Sequence, residues 1–354
     1  MRIGIPKEIK PLEARVGLIP EACADFVRSG HEVFLQRGAG EASGYSDEAY
    51  SRLGVALLED AAALYEQAQV IVKVKEPWAD EPDMLRRDHL LFCFLHLAAN
   101  PLLTNQLLES GVTAVAFETV ADRGALPILA PMSDIAGRLS VQIGAGLLHS
   151  SQQGKGLLLG GLPAAERGSV VILGAGQAGG NAAHMAAAFG AQVTVFERKR
   201  ERMRQMRAIG DNVTALYPFD ASISEALVDA DLLIGAVLIP GAKAPCLVSR
   251  QQVASMEAGS VIVDISVDQG GCIETTRPTT YEAPTFQAHG VTHFGVTNMP
   301  GAVPRSASQA LSAAMIPWLR ELLSANWSDH PVMSAAINVR GGELLHPALR
   351  EQYQ

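Results

Sequence analysis

Several things are scarce in this chain, and each scarcity removes a class of protein. Only four of its 354 residues are cysteine, and Cys23, Cys93, Cys246 and Cys272 are scattered without C-x-x-C spacing. That pattern suggests neither a zinc site nor a disulfide framework, so no metal is expected and the thiols read as buried and free in a reducing cytosol. Basic blocks are also missing: Arg198-Lys199-Arg200 is short and local, and the net charge is −9. A nucleic-acid partner would want a basic face, so none is expected. Apolar segments are interrupted by Gly, Pro or charge well before the roughly 20 residues of a spanning helix, which argues against a membrane span. Met1 runs straight into the strand-like Arg2-Ile3-Gly4-Ile5-Pro6 with no charged-then-apolar leader, so a cytoplasmic location is the expectation. No internal repeat or low-complexity tract occurs.

What is present is the composition of a globular α/β enzyme, 48% hydrophobic and 18% charged, at a length that predicts two domains. The most informative stretch is the apolar run Val170-Val171-Ile172-Leu173 breaking into Gly174-Ala175-Gly176-Gln177-Ala178-Gly179. The run reads as a buried parallel strand and the glycines as G-x-G-x-x-G. Gly174 permits a tight turn, Gly176 lets backbone approach a pyrophosphate, Gly179 allows close helix-on-strand packing, and the following helix aims unpaired N–H groups at the phosphates. Glycines alone are weak support. A second strand, Gln192 to Phe196, strengthens the reading because it ends in Glu197, an acid placed to accept hydrogen bonds from the adenosine ribose. The unit predicts a nicotinamide or flavin dinucleotide site.

Strand-like runs at Glu32 to Leu35, Val70 to Val74, Leu90 to Leu95 and Ala114 to Phe117 alternate with helix-like stretches at Pro20 to Ser29 and Asp47 to Leu53. The first third is therefore itself α/β. Ser133 to Gln153 reads as a long helix connecting two domains and leading into the glycine loop. The alternation resumes through Leu232 to Val237, Val261 to Ile265 and His293 to Val296, predicting a doubly wound parallel sheet. Ser306 to Leu323 reads as a helix, and the rest of the tail as short and irregular, packing back onto the first domain. The expected fold is thus two α/β domains, residues 1–130 plus 304–354 and a central Rossmann domain at 131–303, with a cleft between them holding the ligands.

Candidate chemistry lies at strand ends. Lys73 and Lys75 share a face of an alternating strand, so one could meet a substrate carboxylate while the other is solvated or paired. His96 closes an apolar strand, where a lone histidine is more often a hydrogen-bonded core residue than a catalyst; Glu118 stands after Ala116-Phe117. Arg15 could fork onto a carboxylate, though a surface ion pair with Glu13 is the default. Asp268 precedes Gly270-Gly271, which would let backbone approach a nicotinamide, whereas Asp264 reads as a cap or partner. Asn298-Met299-Pro300-Gly301-Ala302-Val303-Pro304 is a rigid turn that could line the cleft or act as a hinge.

These residues converge on a family. The opening Met1 to Glu8 with Arg15-Val16, Lys73-Val74-Lys75-Glu76-Pro77, Phe94-Leu95-His96-Leu97-Ala98, Ala130-Pro131-Met132-Ser133, the Gly174 loop, Gly235 to Pro245, Asp264 to Cys272, Arg277-Pro278-Thr279 and Asn298 to Arg305 resemble alanine dehydrogenase motifs. That family shares its fold with the soluble nucleotide-binding portion of proton-translocating transhydrogenase. The resemblance runs from residue 1 to about 325. It implies that Arg15 and Lys75 bind the substrate carboxylate and carbonyl, that His96 is the general acid/base, and that Asp268 positions ammonia or water. It places Ser133, Gln177, Ala178, Glu197, Arg202, Val237, Leu238, Val267, Asp268, Asn298 and Met299, beside Gly174, Gly176 and Gly179, on NAD-contact positions. Two departures stand out: Phe117 where relatives often have tyrosine, and Glu197 in place of the usual aspartate.

The implied reaction is reversible oxidative deamination of L-alanine with NAD to pyruvate, ammonia and NADH. A neighbouring substrate pair, glycine/glyoxylate or 2-aminobutyrate, is an alternative; a non-catalytic NAD(H)-binding component akin to the transhydrogenase portion is another. A homo-oligomer, a hexamer by resemblance, is expected, with the apolar helix Leu311 to Leu323 offering either an interface or ordinary core.

Overall fold

The computed structural model of the chain describes residues 1–237 and 244–353; Leu238, one of the predicted NAD contacts, lies outside the described residues. In chain order the strands are β1 Arg2–Ile5, β2 Glu32–Gln36, β3 Ala56–Leu58, β4 Val70–Val72, β5 Leu90–Cys93, β6 Thr113–Ala116, β7 Ser169–Leu173, β8 Gln192–Phe196, β9 Val213–Leu216, β10 Leu232–Gly235, β11 Val261–Asp264, β12 Thr285–Ala288, β13 Val291–Phe294, β14 Ile337–Arg340 and β15 Glu343–Leu344. They form two sheets in two compact units, Met1–Met132 with Gly301–Gln354, and Ser133–Pro300.

The second unit has strand order β12-β13-β11-β10-β7-β8-β9, parallel except for the edge strand β12. Without β12 this is the doubly wound order, reversing direction between β7 and β10. Its register is level: Leu173 pairs with Phe196 and with Gly235, and Gly235 with Asp264, so these strands end on one edge. Val171, Leu173, Phe196, Leu233 and Ile262 are buried in its core, as expected for a parallel sheet buried on both faces.

The first unit repeats the plan with order β15-β14-β6-β5-β4-β1-β2-β3. The tail is not irregular. Helix Pro331–Ala335 leads to β14, which pairs antiparallel with β6, and β14 turns into β15. The turn Gly341-Gly342 has φ of 61° and 93°, the left-handed pair that a two-residue hairpin demands and glycine supplies without strain.

Several boundaries differ from the sequence expectation. The helix after the first unit's parallel strands is Ala130–Leu147, and residues 148–168 separate it from β7, so it does not lead directly into the glycine loop. The last parallel strand is Val291–Phe294, earlier than predicted. β4 stops at Val72 and β5 at Cys93, so Lys73, Lys75 and His96 lie beyond their strands rather than on them. The cause is local: the Glu8 carboxylate takes the Val74 N–H at 2.5 Å and the Lys75 N–H at 3.4 Å, while Glu118 takes the N–H groups of Leu95 and His96. Carboxylates satisfy these N–H groups in place of a neighbouring strand, while the Phe94 N–H still bonds the Val74 carbonyl at 3.0 Å. Helix Pro304–Leu322 buries Leu311, Met315, Leu319 and Leu322, so that apolar stripe is core, not a free interface.

Candidate active site

In the first unit, charged residues gather where β1, β4, β5 and β6 end. Arg15 is buried, not on the surface: its Nε and Nη2 fork onto Glu13 Oε1 and Oε2 at 2.6 and 2.5 Å, and its Nη1 lies 3.2 Å from Met132 Sδ. Burial raises the Glu13 carboxyl, but the Arg15 hydrogen bonds and charge bring it below the usual carboxylate range. The segment carrying this pair is pinned from below by helix Pro304–Leu322, whose Ser308 and Ser312 hydroxyls accept from Val16 N–H (3.0 Å) and Ile19 N–H (3.1 Å).

The two lysines divide their roles by environment. Lys73 is buried and donates to both Glu81 oxygens at 2.8 and 2.7 Å, with Glu8 Oε2 at 3.5 Å. Glu81 also accepts from Trp78 N–H at 2.8 Å. Lys73 is therefore structural, and Glu8, pushed up to about 7 by burial despite Lys73, sits at the edge of ionising. Lys75 is part-buried and enters no salt bridge among the described residues; burial first, and then the Arg15 charge, hold its ammonium below the ordinary lysine range. Arg15, held by Glu13, and Lys75 thus place two cations close together, an arrangement suited to an incoming carboxylate.

His96 is not a core residue. It sits at φ 50°, ψ 35°, left-handed for a non-glycine residue, with its side chain 48% exposed. Glu118 Oε1 accepts the His96 N–H at 2.7 Å and so fixes this conformation, whose strain typifies functional positions. The ring stacks on Phe94, centroids 5.8 Å apart, and Phe94 meets Phe117 edge-on at 5.1 Å. Phe117 is fully buried, so the hydroxyl absent there is absent from the packing behind His96.

The second unit holds the predicted nucleotide residues. Gly174 has φ 94°, and a Cβ on it would lie 2.7 Å from Ala236 O; a Cβ on Gly179 would lie 1.9 Å from Gly174 O. Both must be glycine for the turn and for the helix to approach. Around Gly176 the space is open, the nearest atom to an added Cβ being Arg202 Nη1 at 3.9 Å. Gly176 N-caps helix Gln177–Phe189 without a side-chain hydrogen bond, the kind of helix start at which anions bind. Gln177 is exposed and Ala178 part-exposed; Gln177 Nε2 is tied to Asp134 at 2.5 Å, and Ser133 is part-buried one residue before that aspartate.

Glu197 follows β8, with Oε2 accepting from Ala175 N–H (3.0 Å) and Oε1 from Arg198 and Lys199 N–H (2.8 and 2.9 Å). Burial raises its pKa, but these bonds and Arg202, 3.7 Å away, bring it below the usual range. It stays ionised, and through the Ala175 N–H it clamps the glycine loop. Val237 is held by Ser266, whose hydroxyl accepts from its N–H and donates to its carbonyl, both at 2.9 Å. Asp264 is the cap expected, accepting from Ser266 and Cys272 N–H, in space that side chains on Gly235 and Gly271 would fill. Val267 is buried and Asp268 exposed on the short helix Ile265–Gln269 beyond β11; Gly270 and Gly271 are left-handed, at φ 91° and 76°. Asn298 is left-handed at φ 60°, and the Met299 carbonyl accepts from Tyr281 at 2.8 Å. Cys246 is exposed, contrary to expectation, while the other three cysteines are buried. Among the described residues no metal-ligating cluster occurs and no helix is long and apolar enough to cross a membrane.

The supporting residues Glu81 and Ser266 escape sequence reasoning, and the positions of Glu8, Glu13 and Glu118 give them no role by themselves. A usable signal existed: charged residues directly after apolar strand runs.

Comparison with known proteins agrees with this geometry. Residues 4–136 match the family model described as alanine dehydrogenase/PNT, N-terminal domain, and residues 140–347 match its C-terminal domain counterpart. An alanine dehydrogenase of Halomonas elongata is 44% identical over 100% of this chain and 97% of its own length. A solved L-alanine dehydrogenase superposes with TM-score 0.96 at 46% identity, covering 100% of this chain and 99% of that one. A transhydrogenase structure from Sinorhizobium meliloti gives TM-score 0.85 at 26% identity over 98% and 100% of the two chains. Matched along its whole length by relatives of this closeness, the chain belongs to the alanine dehydrogenase/PNT family.

Proposed function

We propose that this protein is an L-alanine dehydrogenase, catalysing the reversible NAD-dependent oxidative deamination of L-alanine to pyruvate and ammonia. The observation that carries the reading is the first unit's cluster of Arg15, Lys75 and strained, half-exposed His96, which a component that only binds a nucleotide does not need.

The second unit fits NAD: the open space at Gly176, the uncapped helix start behind it and the ionised Glu197 suit a pyrophosphate and a free adenosine ribose. The NAD-contact set is Ser133, Gly174, Gly176, Gln177, Ala178, Gly179, Glu197, Arg202, Val237, Val267, Asp268, Asn298 and Met299, with Leu238 outside the described residues. When bound, NAD accepts hydride from the substrate α-carbon. Arg15 and Lys75 hold the substrate carboxylate, which aligns the reacting carbon, and in the reverse direction they also hold the pyruvate carbonyl oxygen. His96 moves the protons as water adds to the imine and ammonia leaves, and Asp268 orients that water or, in reverse, ammonia. We further assign the protein as a cytoplasmic homohexamer.

NADH oxidation followed with ammonium and pyruvate, glyoxylate or 2-oxobutyrate, and repeated with NADPH, tests this. Fastest ammonium-dependent turnover with pyruvate and NADH is expected, and His96→Ala should slow it by about 10²- to 10⁴-fold while NADH still binds. NADH binding without turnover of any oxo acid would sink the assignment.

A further inference from the structure

Lys10 and Glu76 have no part in the reaction above, yet they adjoin its acid/base. Glu76 follows Lys75 and is enclosed, its side chain 7% exposed. Its Oε2 lies 3.4 Å from His96 Nδ1, and its Oε1 takes an ion pair from Lys10 Nζ, which rests 5.3 Å from the Trp78 ring centroid. Burial alone would raise the Glu76 carboxyl, but the hydrogen bonds from His96 and Lys10 hold it well below the usual carboxylate range. An ionised carboxylate only accepts, so Nδ1 carries the hydrogen and Nε2 is the nitrogen left to exchange a proton with substrate. The Glu118 clamp fixes the His96 main chain, and the ring stacks on Phe94.

We propose that Lys10 and Glu76 are a positioning pair for His96: Glu76 fixes the Nδ1–H tautomer and stabilises the imidazolium, and Lys10, by sharing the same carboxylate, limits that stabilisation. The shared carboxylate makes the balance adjustable. A carboxylate serving His96 alone would favour the imidazolium more than one shared with Lys10 does, and no carboxylate would leave the ring unoriented. The other charges of the neighbourhood are Lys75 and the Glu13–Arg15 pair around Lys75 and Glu76, Glu118 under the main chain, and His346 beside Glu118. None of them is altered in the variants below.

The inference rests on His96 being the acid/base, and the test separates the two. In alanine deamination, turnover rises as His96 loses its proton. Glu76→Gln keeps an acceptor for Nδ1–H but removes the charge, so the acid limb of kcat/KM should move down by about 0.5–1 pH unit. Lys10→Met should move it up by a similar amount, about the effect of one charge on a half-exposed imidazole. A nitrogen-15 titration of the His96 imidazole, identified by its loss in His96→Ala, reads the same shifts without turnover and should show the Nδ1–H tautomer. Opposite shifts in an inactive wild type would keep the pair and remove the alanine assignment. An active wild type in which both variants leave limb and imidazole unmoved, or shift them the same way, overturns the pair. Lys10→Met, at a part-exposed side chain, decides alone should Glu76→Gln fail to fold.

Discussion

Lys73 and Lys75 are chemically identical and two positions apart, so what each does is set by its surroundings. Lys73 neutralises two buried carboxylates, and removing one partner of such a group leaves charge without compensation. Lys73→Met should therefore lower unfolding stability by about 3–5 kcal/mol in urea titration. Lys75 is a part-buried cation beside Arg15 with no salt bridge among the described residues, which costs the fold desolvation and repulsion. Lys75→Met should leave the urea midpoint equal to or above that of the wild type while abolishing productive pyruvate binding. An unchanged pyruvate KM would remove Lys75 from the site. From the sequence, one functional and one structural lysine could be expected here; which was which depended on Glu81, whose approach no local pattern encodes.

At the scale of elements, the glycine loop was legible because its requirements are local. The strand, the left-handed turn at Gly174 and the close approach at Gly179 are properties of a short stretch of backbone. They also predict different consequences for similar substitutions. Gly179→Ala puts a methyl 1.9 Å from a carbonyl and should give insoluble or unfolded protein. Gly176→Ala fits the free chain and should leave its stability within about 0.5 kcal/mol, while weakening NADH binding at least about tenfold by occupying space reserved for phosphate. Equal damage to stability from both, measured by thermal unfolding and NADH fluorescence, would refute the distinction. The strand ends were less legible. Val70 to Val74 and Leu90 to Leu95 are continuous apolar runs except at Lys73, and what stops β4 and β5 early is Glu8 and Glu118 arriving from other loops. His96 thus changes from the last residue of a predicted strand to a residue held in a strained turn.

For the whole molecule, buried titratable groups pull stability in opposite directions across neutral pH. His89 and His293 are buried as neutral rings, each donating through one nitrogen to a carbonyl and accepting at the other, and burial is the main cause that lowers both pKa values. Their contribution is present above the unfolded value of about 6.5 and is lost as pH falls through the folded one. Glu8, raised to about 7, acts the other way: its contribution is full below its unfolded value and is lost as pH rises through 7. Glu8→Gln removes the opposing group, so acidification from pH 8 to pH 5.5 should lower the urea midpoint more steeply in the variant than in the wild type. The difference should approach about 1.4 kcal/mol per pH unit while Glu8 titrates. An equal fall in the two proteins would show that Glu8 is ionised throughout.

The sequence by itself determined the α/β class and the glycine loop with the acid after the next strand, because strand periodicity, turn glycines and ordered motifs are encoded within a few neighbours. Tertiary structure alone decided that Arg15 is buried against Glu13, that Lys73 is structural, that Glu118 strains His96, and that the tail extends the first sheet as β14 and β15. Those outcomes depend on which distant carboxylates and strand edges meet. Such meetings are fixed by how the whole unit packs, since a buried charge or an unpaired backbone group must find its partner wherever the fold brings one.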